Sequence, residues 1–171
     1  MALFVIYGVQ NSGKTHTAWL VYNLLKTAGD ELDFDPKSLT IKPTFSEVLQ
    51  QIENSFVKGT PMSYSDFRAL FKYNGKRIAI FSAGDFLEHP TWEVCSFKDN
   101  IKWADDNKAD HVICCARYNK KSGGVRKYIL DNYRMAVYRW YCKHWLGSAK
   151  EQKKEAQQIA IELFTDIQAD C

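Results

Sequence analysis

Gly8-Val9-Gln10-Asn11-Ser12-Gly13-Lys14-Thr15 is the stretch from which the rest of this chain is read. It has the spacing G-x-x-x-x-G-K-[ST] and follows directly on the apolar run Leu3-Phe4-Val5-Ile6-Tyr7. After it, Ala18, Val21, Leu24, Leu25 and Ala28 recur at helical spacing, so the segment reads as strand, tight turn, helix. Glycine at both ends of the turn lets the backbone wrap closely, with successive N–H groups pointing inward at an anion. A helix that begins at Lys14 turns its positive end toward the same point. The lysine can reach the outer phosphates of a nucleotide, and the Thr15 hydroxyl can ligate magnesium.

This segment resembles the P-loop NTPase superfamily, specifically over the first thirty residues and by architecture beyond them. The nearest type is the small, stand-alone, nucleotide-kinase-like member. The resemblance implies ATP and Mg²⁺ as cofactors, with Gly8, Asn11, Ser12, Gly13, Lys14 and Thr15 around the phosphates and His16 just past the loop. It also implies the P-loop NTPase fold.

The remaining sequence alternates strand and helix signals. An acidic, polar loop is expected around Asp30 to Asp35, then a short strand from Ser38 to Ile41. Thr44 and Glu47 make a capping box for a helix carrying Phe45, Val48, Leu49, Ile52 and Phe56, ended by Gly59 and Pro61. Phe67 to Tyr73 and Arg77 to Ser82 flank Asn74-Gly75, the signature of a two-residue hairpin turn, with the first arm read as peripheral. Pro90 and Trp92 precede a polar helix that includes Phe97, Ile101 and Ala104; His111 to Ala116 reads as a buried strand. A short helix from Val125 to Asn132 leads to Ala136–Cys142, which is read as a strand for its aromatic and β-branched content. Ser148 and Glu151 form a second capping box, before a core-facing stripe of Ala156, Ile159, Ala160, Leu163, Phe164 and Ile167. The expected fold is a single α/β domain over residues 1–171. It is a three-layer sandwich with a mostly parallel sheet and an antiparallel edge hairpin arm.

Hydrophobic residues at 46% and charged residues at 25% are globular values. No apolar run is long enough to span a bilayer, and the apolar start runs into the glycine loop instead of ending as a leader peptide would. Five cysteines without a C-x-x-C pair fit free thiols in a reducing, cytoplasmic setting, with Cys114 and Cys115 on opposite strand faces. The net charge of +3 hides an asymmetry, because Arg117 to Glu155 holds eleven Lys/Arg against three Asp/Glu. A nucleic-acid or protein partner could engage the basic segment 117–154, although a solvated face explains it equally well.

Two further pieces of a phosphate site are expected. The strand Ile78 to Phe81 ends in Ser82-Ala83-Gly84-Asp85, with serine where the superfamily's carboxylate would stand. Asp85 is therefore the candidate magnesium-shell or general-base carboxylate, and Ser82 a lesser polar contact. Arg117 follows the strand Val112 to Ala116 at the edge where open α/β sheets bind ligands, and the basic loop 118–124 with Arg126 beyond resembles a short kinase lid. Asn107-Lys108-Ala109-Asp110 fits the guanine motif N-K-x-D but precedes its strand, so it falls at the wrong edge. The stretch Tyr138 to Trp145 could stack bases, though core packing with a basic rim explains it better. The sequence thus points to a Mg-dependent ATP-binding protein that cleaves the terminal phosphoanhydride, by hydrolysis or by transfer to a small-molecule acceptor. The alternative is a nucleotide-binding regulatory or nucleic-acid-associated module with little turnover.

Overall fold

The computed structural model describes residues 1–10, 12–36, 66–88, 93, 96–118, 124–144 and 147–171. The expected strand at 38–41 and the helix built on Thr44 and Glu47 lie outside them. Six strands form one sheet: β1 (Ala2–Gly8), β2 (Asp30–Pro36), β3 (Phe67–Tyr73), β4 (Lys76–Phe81), β5 (His111–Arg117) and β6 (Val137–Lys143). Their order is β2-β3-β4-β5-β1-β6. β4, β5, β1 and β6 run parallel, while β3 is antiparallel to both β2 and β4. The described helices are α1 (Lys14–Ala28), α2 (Phe97–Asp106), α3 (Val125–Asn132) and α4 (Ala149–Asp170).

Alternation along the central strands divides the core in two. Phe4 and Ile6 of β1 join Ile78, Ile80, Ile113 and Cys115 on the face covered by α1 and α4. Leu3 and Val5 join Ala79, Phe81, Val112 and Cys114 on the face covered by α2 and α3. This is an α/β protein with a mixed, mostly parallel sheet and helices on both faces. The adjacent cysteines Cys114 and Cys115 do point to opposite faces, both buried and free. Because strands buried on both sides read as continuous apolar runs, β4 and β5 are central. A cluster of Trp19, Tyr22, Phe34, Phe67 and Phe71 fills the space under α1, with the Trp19 and Phe67 ring centroids 4.0 Å apart.

Local signals set the boundaries. Asn74 and Gly75 both take positive φ (46° and 82°), the geometry a two-residue hairpin turn needs. Ser96 caps α2 through the Asp99 N–H, and Ser148 caps α4 through the Glu151 N–H at 3.2 Å. The Ser148 hydroxyl in turn donates to the Glu151 carboxylate at 2.8 Å, so the two residues predicted as a capping box are paired through their side chains.

Two sequence expectations need correcting. Asp30 to Asp35 is not a loop but edge strand β2, and β3, expected to be peripheral, is interior between β2 and β4. The acidic residues disguise the strand, yet charged side chains are what keeps an exposed sheet edge from pairing with another chain. Phe34 turns into the aromatic cluster, and the Tyr22 hydroxyl bonds to Glu31, so β2 is fastened from α1. β6 is a strand, as read, but an edge one: only Tyr141 and Lys143 are buried within it. No described helix is long and apolar enough to cross a membrane.

Leu163 is fully buried where α4 meets the core. Leu163→Ala should cost about 2–5 kcal/mol of unfolding free energy, read from the midpoint of a urea titration. Ile161→Ala, at an exposed position on the same helix, should stay within about 0.5 kcal/mol.

Candidate functional site

Because β4, β5, β1 and β6 are parallel, their C-terminal ends open onto one edge of the sheet, and β3 brings its N-terminal end there too. At that edge the glycine loop leaves β1 and turns into α1. Gly13 sits at the helix N-cap with φ 81°, which an L side chain would strain. No side chain caps α1 and its first turn carries no acidic residue, so its leading N–H groups and positive dipole end are not compensated by the helix's own residues.

The loop's polar side chains point the same way. Ser12 is fully buried, yet its Oγ has no hydrogen-bond partner among the described residues. Lys14 is 8% exposed and donates to the Val9 carbonyl at 2.9 Å, its one acceptor among the described residues although an ammonium has three protons to give. Burial pushes the Lys14 pKa down; Asp85 is the strongest charge acting against that shift, Asp66 adds to it, and Arg117 opposes them. Thr15 is half-buried in the same turn, and His16 is buried at 1% exposure. Asn11 lies outside the described residues.

Backbone contacts lock the neighbouring strand ends to the loop. The Tyr118 N–H donates to the Gly8 carbonyl at 2.9 Å, and the Arg117 N–H to the Gly84 carbonyl at 3.0 Å. A Cβ on residue 84 would lie 2.5 Å from the Cys115 carbonyl oxygen, so only glycine lets the chain after β4 fold across β5 and carry Asp85 to this edge. The Arg117 guanidinium bonds to Gln10 of the loop. Arg126, on the first turn of α3, stacks over Tyr7 and Tyr118, its guanidinium carbon 5.4 and 5.9 Å from the ring centroids. Lys14, Ser82, Asp85 and Arg117 are thus gathered at one sheet edge. Residues 119–123 of the expected lid lie outside the described residues.

Two residues of this edge escaped the sequence reading. Lys143, at the end of β6, is buried and its Nζ is 2.6 Å from Glu155 Oε2. A Cβ on Gly8 would sit 2.6 Å from the Lys143 carbonyl oxygen, so the end of β6 lies against the start of the loop. Asp66, just before β3, accepts a 2.9 Å hydrogen bond from Ser82 Oγ. A signal for it existed, because a two-residue turn at Asn74-Gly75 fixes the register and pairs the residues before Phe67 with those after Phe81.

The guanine-like motif lies at the opposite edge, as its order implied. Asn107 caps α2 through the Trp103 carbonyl, and Asp110 pairs with the Arg77 backbone. No group of three or more metal-ligating side chains occurs among the described residues. No protein-family model matches this chain, and neither a curated protein nor a solved structure matches it significantly.

The Lys143–Glu155 pair makes the edge acid-sensitive. Burial works against the Glu155 charge, but hydrogen bonds from Lys143 and His144 outweigh it and hold the carboxyl below its ordinary value of 4.5. A depressed carboxyl contributes stability above its unfolded-state pKa and loses it as pH falls through the folded one. Glu155→Gln should therefore be less stable than wild type at pH 7 by about 1–3 kcal/mol, and the gap should close below pH 4.5. Urea unfolding as a function of pH checks this.

Proposed function

We propose that this chain binds a magnesium–ATP complex in the loop Gly8–Thr15 and cleaves its terminal phosphoanhydride. The observation that carries the reading is the uncompensated start of α1, beside which stand a buried Lys14 and a buried Ser12 hydroxyl that has no partner among the described residues. Leaving a buried hydroxyl without a partner costs about 1–3 kcal/mol; an anion at the helix end would satisfy it together with the Lys14 protons that Val9 does not take. Gly13 supplies the left-handed backbone by which the loop enters α1, and Gly8 lets the start of the loop pack against the Lys143 carbonyl.

In this reading the loop amides and Lys14 bind the phosphates and stabilise charge that develops on the departing diphosphate. Thr15 holds the metal, which when bound neutralises the outer phosphate oxygens. Arg117, fastened to Gln10, supports the transferring phosphoryl group. Asp85, the strongest opposing charge at Lys14, is the carboxylate that serves the metal's water shell or the attacking nucleophile. Water and a small hydroxyl acceptor are both compatible with this set, and the two divide hydrolase from kinase.

Lys14→Ala should abolish magnesium-dependent ATP binding while the far-UV circular dichroism spectrum stays unchanged. Tight binding in the folded variant would remove the loop from the site. ADP release measured with and without a panel of nucleosides and other alcohols should separate the chemistries: acceptor-dependent release is phosphoryl transfer, acceptor-independent release hydrolysis.

A further inference from the structure

β4 carries the apolar run Ile78-Ala79-Ile80-Phe81 to the loop edge and is followed by Ser82, a residue that cannot be ionic at neutral pH. Its antiparallel neighbour β3 starts at that edge, so the residue before β3 meets the residue after β4. The Ser82 N–H donates to the Phe67 carbonyl at 3.0 Å, and the Phe67 N–H donates back to Ser82 Oγ at 3.0 Å. These bonds fix the hydroxyl's role. Since Oγ accepts from Phe67, its single proton is directed to Asp66 Oδ1, 2.9 Å away, and that oxygen accepts as a carboxylate does. Ser82 is 3% exposed, so the pair is held from below by the core, and Asp66 is half-buried.

We propose that Asp66, positioned by Ser82, is the carboxylate that orients the water shell of the magnesium ion, standing in for the acid missing at the end of β4. The displacement is one hydrogen bond: the strand end supplies the hydroxyl and the adjacent strand supplies the charge. An outer-shell role tolerates this, because such a carboxylate acts through water and not by direct ligation. Asp85 then keeps the second role, orienting the attacking water or acceptor hydroxyl from its exposed position beyond Gly84. Two carboxylates, one before β3 and one after β4, thereby divide duties that one strand end would otherwise combine. The field at Lys14 agrees, since Asp66 and Asp85 both act there to retain the ammonium charge that burial disfavours.

This inference rests on the magnesium–ATP reading, and the test separates the two. Calorimetric titration of the full chain with ATP, in EDTA and in excess Mg²⁺, gives the factor by which the metal strengthens nucleotide binding. Paramagnetic resonance of Mn²⁺ added with ATP reports the metal directly, without turnover. Asp66→Asn keeps size and can still accept from Ser82; it should leave binding in EDTA unchanged and lower the metal's effect by about 10–100-fold, as losses of outer-shell partners do. The double variant Ser82→Asp with Asp66→Asn returns a carboxylate to the strand end and should recover most of that loss. An unchanged metal effect in Asp66→Asn, with wild type binding Mg–ATP, overturns the assignment of Asp66 alone. Loss of binding in EDTA as well, or failure of the double variant to recover, reduces Asp66 to a structural residue and overturns it too. A wild-type chain that binds no ATP in either condition overturns the nucleotide reading itself.

Discussion

The close approach of backbone to backbone at the C-terminal edge of the sheet is the constraint on which the other features depend. Gly8 leaves β1 with the Lys143 carbonyl where a side chain would begin, and Gly84 leaves β4 against the Cys115 carbonyl. With no Cβ at either position, the ends of β1, β6, β4 and β5 draw together at the loop. The hydrogen bonds from Tyr118 to Gly8 and from Arg117 to Gly84 then hold the ends in register. Everything assigned to the site sits on this seam. Its precision comes from strands buried on both faces, which cannot slip without exposing a whole apolar row.

The seam also accounts for the buried ion pair beside it. Lys143 cannot turn outward, because its backbone is packed on Gly8 and its strand position faces the α4 side. A buried ammonium needs an acceptor, and Glu155 from the first turns of α4 supplies one while also taking bonds from His144. The pair ties the long C-terminal helix to the loop edge. Breaking one partner leaves the other buried and uncompensated, which is why such pairs specify an arrangement more than they stabilise it.

Most of the architecture was legible because it is local. The Asn74-Gly75 turn, the Ser148–Glu151 box and the helical stripe on α4 each declare themselves within a few residues, and the structure has them at the expected positions. What was not legible depends on pairing. Asp30 to Asp35 looks like a loop until β3 is beside it, since the chemistry that protects an edge strand is the same chemistry that loops prefer. Asp66 is an ordinary acid in the sequence, sixteen residues from Ser82 and ahead of the strand that turns it toward the loop edge. Lys143 reads as part of a basic rim, and only its parallel pairing with Gly8 shows that it is interior.

The same non-local pairing changes the meaning of the basic C-terminal third. Counted to Glu155 it carries a large positive surplus, but several of its cations are answered by acids, two of them further along α4. Arg139 is gripped by Glu162 and by Asp166, the latter at 3.0 Å, and Lys143 by Glu155; Lys127 pairs within its own helix with Asp131. Arg126 is committed to Tyr7 and Tyr118. A surface that gathers phosphates along a nucleic-acid backbone needs cations in excess, because its affinity comes from the counterions they displace. Here the strand's cations are largely taken up in docking α4 against β6. Arg117, by contrast, has no carboxylate partner among the described residues and is held by the neutral amide of Gln10. On the proposed reading, an oriented and unpaired cation beside the loop is placed for a phosphate, which favours the loop edge over the basic strand, whose cations are already paired.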